Sequence, residues 1–220
     1  MEDKGIFLKP KLCISGAAET THLSPDAVVK TEELGREIAR QGGIVVTGAT
    51  TGLPLWGAKG AKSEGGFSIG FSPAETELEH LDYYKLPTDY MDLIIYTGFG
   101  YPGRDLILTK SVDAVFISAG RVGTIHEFTI AFEDAKPIGV LKGDWATDEI
   151  IETIIEKAHR PNDKIVFDED PKRLVEKVMA LVVKDKAEIY KNYEKVVLDE
   201  NKKTDANATE GQEEVSEDKE

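Results

Sequence analysis

The sequence predicts a Rossmann-like α/β fold, a doubly wound parallel sheet between two helical layers in a three-layer α/β/α sandwich. Two observations predict it. Short apolar runs rich in valine and isoleucine alternate with amphipathic segments of helical period, and glycine, aspartate or proline flanks the runs. Such runs are typical of strands buried on both faces of a parallel sheet, since the helices of strand–helix–strand units cover both faces.

Seven apolar runs are the predicted strands. They are Leu12–Ser15, Gly43–Thr47, Phe67–Phe71, Leu93–Tyr96, Ala114–Ser118, Ile138–Leu141 and Lys164–Phe167. The segments between and after them predict helices. These are Pro25–Arg40, Pro54–Ser63, Arg104–Ser111, Gly123–Ala135, Thr147–Lys157 and a long helix from about Pro171 into the Tyr190 region. Ser24 is the expected N-cap of the first helix, with Pro25 at its first position.

The chain has 220 residues, a length that suits one domain, and we predict a single nucleotide-binding domain over residues 1–198. Residues 199–220 contain nine acidic residues and three lysines and almost no apolar ones. Such a segment buries too little surface to offset its loss of chain entropy, so we predict a disordered acidic tail. The tail either keeps the protein soluble or binds a partner.

The composition excludes several classes of function. The formal net charge of −14 argues against binding a nucleic-acid polymer or an anionic membrane, although one small anionic ligand remains compatible with it. The single Cys13 excludes an internal disulfide, and the four histidines show no ligand spacing, so no metal site is predicted. No apolar run approaches the ~20 residues that cross a bilayer, and the N-terminal apolar stretch is too short for a signal peptide. We therefore expect a cytoplasmic protein.

The loops that follow the predicted strands carry the functional signals, because ligands bind beyond the carboxyl ends of strands in such sheets. The first loop, at Gly16, either admits a ligand to the backbone or is a plain tight turn. It lacks the G-x-G-x-x-G pattern, which argues against an ordinary NAD site. The second loop places Gly48, Thr50 and Gly52 before a helix, and the free N–H groups of such a turn suit an anion.

The third loop brings Arg104 to a predicted helix start, where the helix dipole disfavours a cation. We expect Arg104 either to bind a phosphate or carboxylate or to form an ion pair with Asp105. The segment Thr76–Tyr90 before this loop has no clear period. We expect it either to pack over the site or to form a dimer surface.

The fourth loop contains three candidate binding residues, Gly120, Arg121 and Gly123, ahead of a predicted helix. Thr124 either caps this helix or donates its hydroxyl to a phosphate. Glu127 either completes a capping box with Thr124 or faces the ligand. We expect the neighbouring His126 to be structural.

Three of these segments resemble motifs of one superfamily. The P-G-G-x-G-T-x-x-E motif of the LOG, or lysine-decarboxylase-like, superfamily resembles residues 120–127, which read G-R-V-G-T-I-H-E. Its G-G-x-x-G-L/V turn resembles residues 48–53, which read G-A-T-T-G-L. A G-x-R-N…A-D-A stretch of the molybdenum-cofactor-carrier-like branch resembles residues 103–105 with residues 111–114. The resemblance covers roughly residues 11–160.

The resemblance implies a protein that binds a nucleotide or another phosphate-containing small molecule. The resemblance also implies an activity, cleavage of the N-glycosidic bond of a nucleoside 5′-monophosphate, with Glu127 and Arg104 as the catalytic pair. The resemblance and the loop patterns together imply eight ligand-binding residues. They are Gly16, Gly48, Thr50, Gly52, Gly120, Arg121, Gly123 and Thr124. No cofactor is required, and a pyridoxal-dependent lysine decarboxylase is not expected, since these loops offer no Schiff-base site.

Two alternatives stay open. The protein is a non-catalytic carrier or sensor of a nucleotide or of the molybdenum cofactor, or it is a scaffold whose glycine turns are only structural. Relatives of the superfamily form homodimers or higher homo-oligomers, and the resemblance implies such an assembly here.

Overall fold

A computed structural model describes the backbone of residues 8–213 and the side chains of residues 8–193. Seven strands form one sheet within this part of the chain. They are β1 (Lys11–Ser15), β2 (Ile44–Thr47), β3 (Ser68–Ser72), β4 (Leu93–Tyr96), β5 (Ala114–Ile117), β6 (Ile138–Leu141) and β7 (Ile165–Asp168). Each lies within one residue of the run that predicted it, because short valine- and isoleucine-rich segments between turns define buried strands well.

All strand pairs are parallel, and the strand order is β4-β3-β2-β1-β5-β6-β7. The chain moves from β1 outward to β4 at one edge and then returns to β5, which lies on the other side of β1. In the centre of the sheet Cys13 pairs with Val46 of β2 and with Val115 of β5. The loops after β1 and β5 therefore diverge at a topological switch point, where ligands bind in open α/β sheets. The Rossmann-like prediction is confirmed.

The described residues also form seven helices. They are α1 (Pro25–Arg40), α2 (Leu53–Ser63), α3 (Glu77–Asp82), α4 (Gly100–Ser111), α5 (Val122–Glu133), α6 (Thr147–Ala158) and α7 (Pro171–Glu213). The short helix α3, for which Thr76 accepts a cap hydrogen bond from Glu79 N–H, was not predicted from the sequence. Six residues are too few to show a helical period.

The core has two parts, one on each face of the sheet. Leu12 and Ile14 of β1 face the helices α1 and α7, whereas Cys13 between them belongs to the cluster with α4, α5 and α6. This alternation follows from the two-residue period of a strand. Burial on both faces is thereby confirmed for the central strands.

The prediction that the strands are buried on both faces is wrong for β4. Leu93 and Ile95 remain 50% and 38% exposed, respectively. The strand lies at the edge of the sheet, and the connection that precedes it contains only the short helix α3. An apolar sequence cannot distinguish an edge strand from a central one, because the strand's neighbours come from distant parts of the chain.

Helix α7 includes residues 199–213, for which the acidic composition predicted disorder. Alanine, lysine, glutamate and glutamine make up eight of these fifteen residues and favour a helix locally, whereas disorder of the tail stays a prediction. Residues 214–220 of the predicted tail lie outside the described residues. The sheet belongs to a compact unit that ends at Val182, and the rest of α7 from Val183 belongs to a second unit. No helix in the described part of the chain is long and apolar enough to cross a membrane.

Candidate functional site

A cavity of about 430 Å³ lies beyond the carboxyl ends of the central strands. The loops after β1, β2 and β5 contribute Gly16, Gly48 and Arg121 to its walls, and helix α4 contributes Arg104. These loops converge because β1, β2 and β5 are neighbours in a parallel sheet, whose carboxyl ends all point to the same edge.

The first turn of α5 forms one wall of this cavity through Gly123 and Thr124. The helix begins at Val122, and the hydrogen bond from Ile125 N–H to the Arg121 carbonyl, at 3.0 Å, opens its hydrogen-bond ladder. The N–H groups of the first three helical residues have no acceptor within a helix, and the helix dipole adds positive potential there. This wall therefore suits an anion.

Glu127 lies in the second turn of α5 and is buried against the cavity. The hydroxyl of Ser15, at the end of β1, donates a short hydrogen bond to its Oε2. The capping-box interpretation of Glu127 is wrong, because the helix begins two residues before Thr124 and the Glu127 side chain contacts Ser15 instead.

The environment of Glu127 raises the pKa of its carboxyl to about 7. Burial is the main cause, because it disfavours the charged form, and the nearby negative charge of Asp105 adds to it. The positive charge of Arg104 and the Ser15 hydrogen bond act in the opposite direction. A carboxyl group with a pKa near neutrality can both accept and donate a proton at physiological pH.

Arg104 is buried in the same cavity and forms the ion pair expected with Asp105, whereas its binding of a phosphate or carboxylate stays a prediction. Its guanidinium lies 3.1 Å from Asp105 (Nε to Oδ1), which is the ion pair, and it also lines the cavity. Helix α4 begins at Gly100, so Arg104 sits in its second turn and not at its start. Arg104 Nη1 packs so closely on Gly48 that a Cβ there would be 1.4 Å away.

Asp105 connects Arg104 to His126. His126 Nδ1 lies 3.0 Å from Asp105 Oδ2, while the other Asp105 oxygen faces Arg104. The His126 side chain does not line the cavity and is 41% exposed. His126 therefore contacts the site through Asp105, which agrees with the structural role expected for it.

The start of α2 is less suited to an anion than its glycine-rich loop predicted. The N–H of Leu53 donates to the Ala17 carbonyl at 2.9 Å, and Pro54 has no N–H. Gly52 has φ +74°, and a Cβ at this position would lie 2.2 Å from the Ala17 oxygen. The second loop thus brings Gly48 and Thr50 to the cavity, whereas the helix start that suits an anion is that of α5.

Eight of the ten predicted site residues line the cavity. They are Gly16, Gly48, Thr50, Arg104, Arg121, Gly123, Thr124 and Glu127. Gly52 and Gly120 do not. The N–H of Gly120 donates to Thr147 Oγ1 at 2.8 Å, and a Cβ on Gly120 would lie 2.0 Å from Thr124 Oγ1. Packing accounts for both glycines, and contact with a ligand stays a prediction for them.

Three further residues belong to the site. Ser15 holds Glu127, Asp105 holds Arg104, and Tyr101 lines the cavity with its ring 5.7 Å from the Arg104 guanidinium. Ser15 ends a predicted strand, and this position could have indicated that it lies near the site. No local pattern links Ser15 to Glu127, because 112 residues separate them.

Fold and cavity together define a Rossmann-like α/β protein with its site at the switch point of the sheet. The sequence profile of the SLOG cluster4 family matches residues 9–175, and the chain belongs to this family. The resemblance to the LOG superfamily, near its molybdenum-cofactor-carrier-like branch, is thereby confirmed. An uncharacterised protein of Archaeoglobus fulgidus is 33% identical over 109 residues, which span 50% of this chain and 66% of that protein, just under two thirds of its length.

Solved structures share the fold. The molybdenum cofactor binding protein of Rippkaea orientalis is 23% identical with a TM-score of 0.65, covering 80% of this chain and 99% of that one. The molybdenum cofactor carrier protein of Chlamydomonas reinhardtii is 25% identical with a TM-score of 0.64, covering 79% and 99%. DNA processing protein A of Streptococcus pneumoniae is 16% identical with a TM-score of 0.57, covering 76% and 60%.

Proposed function

We propose that this protein binds a small phosphate-containing molecule, such as a nucleotide, in the cavity at the switch point, with the phosphate at the start of α5. One observation carries the proposal. The N-terminal turn of α5 and the buried guanidinium of Arg104 line the same cavity, so a helix N-terminus and a cation lie beside one space. Helix N-termini and arginine side chains both bind phosphate well in proteins.

The cavity of this acidic chain has two arginines in its lining, beside Glu19, Asp105 and Glu127. Arg121 adds a second cation, because its side chain lines the cavity and is 65% exposed. Its contact with Glu19, at 3.7 Å between two exposed side chains, is too weak to hold it away from a ligand. The Rippkaea protein binds the molybdenum cofactor and the Chlamydomonas protein carries it, which also favours a small ligand here.

Thermal unfolding with AMP, GMP, ribose 5-phosphate and adenosine tests the binding proposal. A phosphate ester at 100 times its dissociation constant adds about 2.7 kcal/mol to the free energy of unfolding. Adenosine at the same concentration adds much less, because it lacks the phosphate. The Arg104→Met variant removes the buried cation and is expected to lose the shift. Equal shifts with adenosine and AMP, or none with any phosphate ester, would contradict the proposal.

Hydrolysis of the N-glycosidic bond is the second candidate function, and Glu127 favours it. Cleavage of this bond places positive charge on the ribose, which a carboxylate near the anomeric carbon stabilises, as in glycoside hydrolysis. The Ser15 hydroxyl orients Glu127 by donating to Oε2, and burial keeps the pKa of Glu127 where the group can accept a proton. As the bond between ribose and base breaks, water adds to the anomeric carbon and gives a proton to Glu127, and the departing base takes up a proton in return. Arg104 holds the phosphate end. Neither the proton transfer at Glu127 nor the binding of the phosphate by Arg104 requires a cofactor.

Chromatography of free base after incubation with nucleoside 5′-monophosphates tests the hydrolysis. The Glu127→Gln variant is expected to lower turnover roughly 10²–10⁴-fold while nucleotide binding persists. Glu19→Gln is the matched control, because it changes a carboxylate that also lines the cavity but is exposed. Binding without release of base from the wild type would favour the alternative, a non-catalytic carrier or sensor of a nucleotide or of the molybdenum cofactor.

We further propose a homodimer or a higher homo-oligomer. Several large apolar side chains between residues 78 and 106 are exposed, among them Tyr83, Phe99 and Tyr101. Exposed apolar patches often mark interaction sites. Light scattering on the purified chain measures the assembly, and a monomer at micromolar concentration would contradict it. The cytoplasmic location stays a prediction.

A further inference from the structure

A second cavity, of about 690 Å³, lies beside the first turn of α5. The segment before α1, the first turn of α5 and the β6–α6 loop line it. Arg121 lines both this cavity, called cavity 2 below, and the cavity that contains Glu127, called cavity 1. Nothing in the proposed function uses cavity 2.

Helix geometry places the two cavities on opposite sides of α5. Successive residues of a helix are turned by about 100°. Gly123, Thr124 and Glu127 therefore share one face, which lines cavity 1, while Val122 and Ile125 lie on the opposite face and line cavity 2. The free N–H groups at the start of α5, with Arg121 beside them, lie at the boundary between the two spaces.

The walls of cavity 2 differ in chemistry from those of cavity 1. Val122, Ile125, Ile150 and Trp145 make them mainly apolar. Val122 and Ile150 are 85% and 47% exposed. Two polar atoms, Ser24 Oγ and Trp145 Nε1, are buried in these walls without a hydrogen-bond partner among the described residues. Both atoms have almost no accessible surface, so the surface that cavity 2 presents to a ligand is that of the apolar side chains.

We propose that cavity 2 holds a planar, mainly apolar group of the ligand, on the far side of its phosphate from the group in cavity 1. The ligand class is then two organic groups joined through a phosphodiester or a pyrophosphate, with the charged link beside Arg121 and the start of α5. This inference rests on the proposed function, because it takes the phosphate position as given. An aromatic heterocycle suits cavity 2, because it can pack against Trp145 and the aliphatic side chains of the wall.

Three probes separate the contributions of cavity 1, the second phosphate and cavity 2 to the binding affinity. AMP fills cavity 1, ADP adds only a phosphate, and diadenosine pyrophosphate adds a second adenosine that can reach cavity 2. Calorimetry on the full chain is expected to show diadenosine pyrophosphate binding at least tenfold more tightly than ADP. In a Trp56→Phe background Trp145 is the remaining tryptophan, and the dinucleotide but not ADP is expected to quench its fluorescence.

The Ala146→Phe variant fills cavity 2 from an exposed position at the start of α6. It is expected to reduce the affinity for diadenosine pyrophosphate to that for ADP and to leave ADP and AMP binding unchanged. Val29→Phe, at an exposed site on α1 outside both cavities, is the matched control. Ile150→Glu is a second variant, because it places a carboxylate in the apolar wall without adding bulk.

The outcomes separate the two proposals. Equal affinities for ADP and diadenosine pyrophosphate, or a preference that survives both Ala146→Phe and Ile150→Glu, would overturn the assignment of cavity 2 and leave the phosphate site intact. No binding of any of the three nucleotides would overturn the proposed nucleotide site together with this extension.

Discussion

Arg104 Nη1 occupies the space that any side chain at Gly48 would need, since a Cβ built on Gly48 lies 1.4 Å from it. The absence of a side chain at the end of β2 therefore sets the position of the buried cation on α4. Gly48 acts on the site through this contact as well as through its own backbone.

Gly48→Ala is expected to displace the Arg104 guanidinium. The free energy of unfolding should fall by about 1–3 kcal/mol, the usual effect of overpacking, and AMP affinity should fall at least tenfold. Denaturant unfolding and calorimetry measure the two effects. If the variant bound AMP as tightly as the wild type, Arg104 would not hold the phosphate.

Gly123→Ala tests the other wall of cavity 1. A Cβ at Gly123 meets no protein atom within 4 Å, so packing does not require glycine there. Alanine is the better helix former, and the unliganded protein should become more stable by up to about 1 kcal/mol. The added methyl group lies where the ligand is expected, so AMP affinity should fall. Stability and affinity that change in the same direction would speak against a ligand at this wall.

Glu127 is expected to make stability depend on pH. Its folded-state pKa of about 7 lies above the ordinary value of 4.5, so the folded state holds a proton that the unfolded state has lost between these values. Stability from this group is complete below pH ~4.5 and is lost as pH rises through about 7, with a total change on the order of 3 kcal/mol. Urea unfolding at a series of pH values measures it.

The Glu127→Gln variant is the control for this pH dependence. It carries no titrating group at position 127, so its stability relative to the wild type should rise between pH 5 and 8. Parallel stability curves for the two proteins across that interval would show that Glu127 titrates at its ordinary pKa and is not desolvated.

His80 is expected to stabilise the segment between β3 and β4. Its ring is fully buried, with Nδ1 2.8 Å from Ser72 Oγ and Nε2 3.0 Å from the Pro87 carbonyl. His80→Ala leaves a cavity and an unpaired carbonyl and should lower the free energy of unfolding by about 2–4 kcal/mol. His22→Ala, at an exposed histidine, should change it by less than about 0.5 kcal/mol. A loss at His80 no larger than at His22 would show that these hydrogen bonds contribute nothing.

Local sequence patterns predicted most of the fold. Strand runs and helix periods depend on residues a few positions apart, and Pro25 marks the start of α1 as expected. Gly42, with φ +79°, follows the C-cap residue of the same helix. The prediction did less well at helix starts. Ser24 is the N-cap residue of α1, yet its hydroxyl makes no capping hydrogen bond, and α4 and α5 begin before their predicted positions. The start of α5 differs from its prediction by one residue, which is within the usual spread of helix ends, whereas α4 begins four residues early, inside its glycine-rich loop.

Ala49 shows at a single position what the sequence predicts and what only the structure reveals. The family turn has glycine where this chain has alanine, and Ala49 adopts φ +49°, a conformation that favours glycine. The sequence marked the departure, but only the structure shows that the backbone keeps the glycine-like conformation and that the Ala49 methyl packs 2.8 Å from where a Cβ on Gly70 would lie.

By itself the sequence determined the fold class, the strands, the glycine-rich loops and the family, because each depends on a local pattern of side chains. Tertiary structure alone decided that Ser15 holds Glu127, that Asp105 lies between Arg104 and His126, and that the start of α5 separates two cavities. These relationships join residues that lie up to 112 positions apart, and only the order of strands in the sheet brings them together.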